Sequence, residues 1–384
     1  MDSLTDDDFN ALKDIVGIEE AIKLQKEKLA DLRNRVKKLE FKKIDMAGDY
    51  ASITYKAIDG GHMNINLNPF EINLVDVADS NGNKKISFVF PEIKGYGDAP
   101  DKNSINSDII KKIDAIPIIK KFTEMLKVSS ISELSYILND SNGLMEIAEW
   151  ACIFERVMLE SDEPIIIFKD GLLRTKLLSS TDKKDYIQDL KNILKQKKKY
   201  VKLVGVSKTS AVLSLISTAI FLEKKIPADV IGYIKIPLDL ELRAYKWSGI
   251  GLIDQEKSEP LRYAFGDMYI AKLSKNSNLL VTIEIPRDFK GNQEIYSHEE
   301  VEEIISYLAK DSKHSYPVLG YPQTIMRAHE VAVRLGFPSS IIKDEIRDKI
   351  ILSLEDKSAG EFIRDGWLLM DFVDKGVLGG GKHG

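Results

Sequence analysis

The chain has 384 residues, of which 43% are hydrophobic and 30% charged, with a formal net charge of −5 at pH 7. It is long enough to bury one elaborated core or two ordinary ones, and its single cysteine, Cys152, excludes disulfides, cysteine-based zinc sites and paired redox thiols. The negative balance argues against non-specific coating of nucleic acid but leaves room for local basic patches.

The opening MDSLTDDDFN lacks the basic and apolar regions of a signal peptide. No apolar run approaches the roughly 20 residues that span a bilayer, so a cytoplasmic location with no membrane partner is expected. Residues 6–42 read as one long helix, because Ile15/Ile18, Ile22/Gln25, Leu29/Leu32 and Val36/Leu39 repeat at heptad spacing with charges between them. Such a coiled-coil-like seam serves either dimerisation and partner docking or packing on the chain's own domain. Strands are predicted at 50–58, 62–67, 70–78 and 85–90, with turn signals at Gly60-Gly61, Asn68-Pro69 and Ser80 to Asn83, which makes an antiparallel meander.

A polar loop at 94–107 leads into helices at about 108–127, 131–139 and 143–160. Then come a strand at 164–169, a lysine-rich helix at 183–199, the strand YVKLVGV, a loop carrying Lys208 and a helix at 209–224. Strand-rich segments at 261–273 and 279–285 precede helices at 297–310, 322–336 and 339–354. Strands first, then strand and helix in alternation, predict an α/β fold with a mixed sheet flanked by helices. The expected organisation is an N-terminal helical segment (1–45), one domain (46–375) and a flexible glycine-rich tail (376–384).

Two Asp-Gly steps, Asp59-Gly60 and Asp170-Gly171, each close an apolar strand-like run, ITYKAIDGG and PIIIFKDGLL. A carboxylate at a strand end, followed by glycine, sits on the rim of a sheet where the backbone turns sharply and a ligand can approach. Two on one rim point to a divalent-metal site; the bland alternative is a pair of ordinary turns. A helix running back along the second strand covers the strand's length of about 17 Å in about eleven residues. Counted from a helix end near Glu160, this reaches Glu149, with Glu155 about halfway down and Glu146 about a turn beyond.

Far downstream, GYPQTIMRAHEVAVRLG places Tyr321 just before a helix opened by Pro322 and His329 two turns inside it, on a stripe with Ile325, Met326 and Val333. A lone histidine on an apolar stripe is ordinarily a core residue, and ligation is the less common alternative. Two aspartates, a glutamate and a histidine form a hard, oxygen-rich set that suits magnesium or manganese better than zinc. Such sites hydrolyse phosphodiesters. The loop GVSKTS fails as a Walker motif, since Ser207 stands where the glycine before lysine belongs. Lys208 still follows a buried strand and precedes a helix, a position from which an ammonium meets a phosphate.

In this order the segments AIDGG, GLMEIAEWACIFERVML with PIIIFKDGLL, VGVSKTSA and GYP with AH in GYPQTIMRAH resemble the NurA nuclease family, over about residues 50 to 340. The resemblance implies a ribonuclease H-like fold, a homodimer, and manganese-dependent (or magnesium-dependent) cleavage of DNA. It further implies 5'–3' exonuclease and single-strand endonuclease action on DNA ends in double-strand-break repair, with a HerA-type hexameric ATPase as partner. Carried over, the family's catalytic and metal-binding positions fall on Asp59, Glu149, Asp170 and His329, with Tyr321 as a positioning residue and Lys208 near a DNA phosphate. Glu146 and Glu155 stay open as alternatives to Glu149. One departure is Gly61, where the family commonly carries serine. The alternative reading is a ribonuclease H-like adaptor without catalysis that binds DNA or a motor ATPase.

Overall fold

A computed structural model describes residues 18–45, 53–67, 70–93, 102–134, 141–159, 163–175, 177–178, 185–247, 263–289, 293–334, 339–353, 364 and 366. In chain order these form α1 (Ile18–Lys37), β1 (Phe41–Lys43), β2 (Thr54–Leu67), β3 (Phe70–Asp79), β4 (Lys84–Ile93), α2 (Lys102–Asp114), α3 (Pro117–Leu126) and α4 (Ser141–Met158). There follow β5 (Ile165–Asp170), α5 (Tyr186–Lys197), β6 (Val201–Ser207), α6 (Ala211–Leu222), β7 (Gly232–Lys235) and α7 (Leu238–Trp247). The last described elements are β8 (Gly266–Lys272), β9 (Val281–Asp288), β10 (Gln293–Glu294), α8 (His298–Asp311), α9 (Gln323–Arg334) and α10 (Ser339–Ser353).

By its contacts the chain divides into two interleaved units. One comprises Ser52–Asp170, Thr175–Leu203 and Thr324–Gly384. Its strands run in the order β4-β3-β2-β5, with the opening residues of β6 beside β5. β2, β3 and β4 form the antiparallel meander expected from their turn signals, and β5 joins β2 in parallel, with Ile58 opposite Lys169. The result is a mixed sheet flanked by helices, as the order of strand and helix patterns predicts. α4 packs on β2 and β3, and its residues Trp150, Ile153, Phe154 and Val157 recur at helical spacing and are buried, with Phe154 beside Phe122 of α3. Ile165 to Phe168 are all buried, as suits a strand covered on both faces. Cys152 lies in this core.

The Gly60-Gly61 step is not a turn. β2 runs unbroken through it, with Asp59 opposite Ala78 and Gly60 opposite Val77. The glycines serve close packing instead. A Cβ on Gly60 would lie 2.6 Å from Met145 Cγ, and one on Gly61 would lie 2.9 Å from the carbonyl oxygen of Ala332. α4 therefore reaches one face of the strand and α9 the other at alternate residues, following the two-residue period of a strand. The second Asp-Gly step does end its strand: β5 stops at Asp170, and Gly171 has φ of +91°, which glycine adopts without strain.

The other unit comprises Met1–Ala51, Gly171–Arg174 and Val204–Gln323. Its strands are antiparallel, in the order β1-β7-β8-β9, with the end of β6 (Gly205–Ser207) on β9. The described part of the N-terminal helix belongs here. Val36 and Leu39 are buried, and Leu29 and Leu32 half-buried, in a core with Val212, Ile216, Ala219 and Ile220 of α6. These seam positions pack within their own unit; residues 6–17 of the predicted helix lie outside the described residues. The helix also stops earlier than predicted, because Phe41–Lys43 pairs with Gly232–Ile234 as a short strand. The predicted helix at 131–139 is a single 3-10 turn, Ile131–Glu133, in its described part. The glycine-rich tail also lies outside the described residues.

Candidate metal centre

Asp59 lies within β2, Asp170 ends β5 and His329 sits in α9. A carboxylate oxygen from each aspartate and a ring nitrogen of His329 all lie within 4.8 Å of one another. Strand alternation explains the convergence. Asp59 and Gly61 face α9, while Gly60, between them, faces α4. Asp59 is buried, Asp170 half-buried and His329 exposed, so the cluster opens to solvent on the histidine side. His329 Nδ1 lies 2.8 Å from Asp59 Oδ2, which holds the ring in one orientation. With that bond made by Nδ1–H, Nε2 is the basic nitrogen.

Glu149 stands immediately behind this trio and outside it. Its Oε1 accepts a hydrogen bond from Gly60 N at 2.9 Å, and its Oε2 pairs with Lys169 Nζ at 2.7 Å. Both groups of the pair are buried. Burial pushes the Glu149 carboxyl up to about 7, against the opposing pull of Lys169, and the charge of Asp59 adds to the rise. Burial alone would lower Lys169, but the surrounding carboxylates of Glu149, Glu146 and Asp59 outweigh it and leave its pKa above the ordinary value. Of the alternative glutamates, Glu155 lies 4.0 Å from Lys85 and Glu146 is half-buried on the first turns of α4. Lys169 does not figure among the residues singled out from the sequence. The signal was a lysine at the penultimate position of an otherwise apolar strand.

Tyr321 and Lys208 belong to the other unit. The Tyr321 hydroxyl donates to Val206 O at 3.1 Å, and Lys208 Nζ lies 4.4 Å from the centre of its ring. The tyrosine is fully buried, so it anchors the end of β6 and presents its face to the lysine in a cation–π contact. Ser210 caps α6 by accepting from Leu213 N at 3.0 Å, fixing the helix start just beyond Lys208.

Two aspartates and an imidazole meet the donor requirements of a divalent cation with a preference for oxygen and tolerance for nitrogen. Mixed sheet, strand-borne aspartates and helical histidine define the class as an α/β protein with an acidic candidate metal centre. A profile of the NurA domain matches residues 116–334, more than half of the chain, and the chain belongs to the NurA nuclease family.

Among solved structures, the NurA nuclease from Sulfolobus solfataricus is similar with a TM-score of 0.42 and 14% identity, covering 91% of this chain and 99% of that one. A NurA with manganese has a TM-score of 0.41 and 12% identity, covering 88% and 98%. A NurA bound to dAMP and manganese has a TM-score of 0.44 and 11% identity, covering 89% and 98%. No curated protein matches the chain.

Proposed function

We propose that the chain is a divalent-metal-dependent deoxyribonuclease that processes DNA ends. The observation that carries this reading is the convergence of Asp59, Asp170 and His329 within 4.8 Å, in a chain of the NurA family. Asp59 and Asp170 would hold manganese or magnesium, with His329 as the nitrogen donor or as a proton carrier beside it. A bound ion of this kind activates water and neutralises charge on a phosphodiester.

The chain's own residues set the rest. Asp59 orients His329 through Nδ1 and leaves Nε2 basic, so that the ring can hold or pass a proton at that atom. The exposed edge of His329 leaves room for a polymer, where a closed pocket would admit only a small molecule. Tyr321 is engaged through its hydroxyl and acts by positioning, while Lys208 offers its ammonium to a DNA phosphate. Glu149 backs Asp59 through Gly60. In the same reading the protein acts 5'–3' on ends and endonucleolytically on single strands, as a homodimer in double-strand-break repair with a HerA-type ATPase.

The test is cleavage of end-labelled linear DNA with manganese by the wild type and by Asp59→Ala and Asp170→Ala variants. Cleavage by the wild type and its loss in both variants is the expected result. Intact DNA with the wild type, or equal cleavage by the variants, overturns it. Absence of manganese affinity alongside retained DNA binding would instead favour the adaptor without catalysis.

A further inference from the structure

Lys169 is a buried cation in an otherwise apolar strand. It occupies the penultimate position of β5, after Ile165, Ile166, Ile167 and Phe168, all buried, and is itself only 7% exposed. An aliphatic residue would continue this strand, and a buried ion pair is often no more stabilising than well-packed apolar groups of the same volume. The contacts of the lysine show what it does. Its Nζ lies 2.7 Å from Glu149 Oε2 and donates to the carbonyl oxygen of Asp170 at 3.2 Å. The other oxygen of Glu149 accepts from Gly60 N at 2.9 Å. A continuous chain of polar contacts thus runs from the main chain just after Asp59, through Glu149 and Lys169, to the main chain of Asp170.

β2 and β5 are parallel neighbours with Ile58 opposite Lys169, so the two aspartates follow directly on a paired position. Their side chains meet His329 of α9, whereas Gly60 meets Glu149 of α4. The polar chain therefore lies on the opposite face of the strands from the histidine and touches both aspartate-bearing segments through their backbones.

We propose that Lys169 is a positioning residue: with Glu149 it forms a buried strut that fixes the spacing of the Asp59 and Asp170 carboxylates and so the affinity of the centre for a divalent ion. The proposal rests on the metal-site reading above. A strut of this kind removes conformational freedom from ligands in advance, and groups that orient ligands from behind commonly change metal affinity by about 10–100-fold when replaced. The length of the side chain matters as well as its charge. An arginine would keep the charge but carry a planar fork of different reach, which does not substitute for a compact ammonium.

The experiment is calorimetric titration of manganese into the full-length wild type, Lys169→Met and Lys169→Arg, with folding checked by circular dichroism and by the thermal midpoint without metal. The wild type is expected to bind manganese, Lys169→Met to bind about tenfold or more weakly, and Lys169→Arg also to bind measurably more weakly. A residue with a purely structural role would lower the midpoint and leave manganese affinity unchanged in any variant that folds. Affinity within twofold of the wild type in whichever variant folds overturns the proposal. Absence of manganese binding by the wild type overturns the metal-site reading itself, and the strut with it.

Discussion

Nδ1 of His329 and Oδ2 of Asp59 lie 2.8 Å apart across a sequence separation of 270 residues. The contact places the only helical donor of the trio against the more buried of its two aspartates, with Asp59 at 5% exposure. Asp59 is thereby both a candidate ligand and the group that orients another ligand.

Replacing either residue should consequently disturb more than one bond. Asp59→Ala is expected to lower manganese affinity by more than the roughly 10–100-fold typical of an orienting partner, and His329→Ala to lower it by a similar order. Because the two touch, their effects should fail to add in the double variant, with a coupling of about 0.5–3 kcal/mol. Calorimetry on the four proteins checks this. Strict additivity would mean that the Asp59–His329 contact has no part in metal binding.

Gly61 is where the family commonly has serine, and the structure supplies a reason for glycine. A Cβ there would sit 2.9 Å from Ala332 O, a main-chain atom of the helix that carries His329. Gly61→Ser is therefore expected to cost about 1–3 kcal/mol of stability through overpacking, and to weaken manganese binding as α9 moves away. Denaturant melts and a manganese titration measure the two effects separately. A variant as stable as the wild type with unchanged affinity would show that α9 gives way freely at this contact.

This position also shows how far the sequence is legible. Gly60-Gly61 carries the ordinary signal of a turn, yet a strand runs through it, because the need for two helices to approach the backbone also selects glycine. The Asp170-Gly171 signal is the same, and there the strand does end. Helix rise brings attention to Glu149, since the distance along a helix is fixed by geometry. It is silent on Lys169, whose partner lies on another element. The β1 strand is hidden in a helical pattern because its pairing with β7 is distant in sequence. β7 itself, Gly232–Lys235, is too short for alternation to show.

Cys152 provides a probe of the core behind the centre. It lies on α4 at 1% exposure, and burial pushes its thiol well above the ordinary range, with the charge of Glu155 adding to the effect. Since the thiolate is the reactive form, a thiol-specific reagent at mildly alkaline pH is expected to leave the native protein unmodified and to modify it once denatured. Rapid labelling of the native protein would mean that α4 opens readily from the sheet, in conflict with its packing.

Arg174, immediately downstream of the second Asp-Gly step, is the centre of a buried network. It donates to Glu241 Oε1 at 2.8 Å, and through its backbone N to Glu284 Oε2 at 2.9 Å, while Tyr245 stacks at 4.8 Å. Glu284 is fully buried and also accepts from the backbone N of Phe265 and of Gly266, each at 3.0 Å. Arg174→Met would leave two buried carboxylates without their cation, a loss of about 3–5 kcal/mol by analogy with broken buried pairs. Urea denaturation measures it. A change below about 1 kcal/mol would place the network among exposed ion pairs.

The same network makes stability depend on pH in a definite direction. Burial raises the Glu241 carboxyl above its ordinary value, opposed by Arg174 and assisted by the charges of Glu284 and Asp267. A carboxyl with a raised pKa keeps its proton longer in the folded state. Between the unfolded value, about 4.3, and the raised folded value, the folded state therefore binds more protons, and its stability falls as pH rises. Glu241→Gln removes the titrating group and keeps an oxygen for the Arg174 hydrogen bond. The stability of Glu241→Gln relative to the wild type is expected to increase with pH through that window and to level off above it. Urea melts of both proteins across the window decide the matter, since parallel curves would mean that Glu241 ionises alike in the folded and unfolded chains.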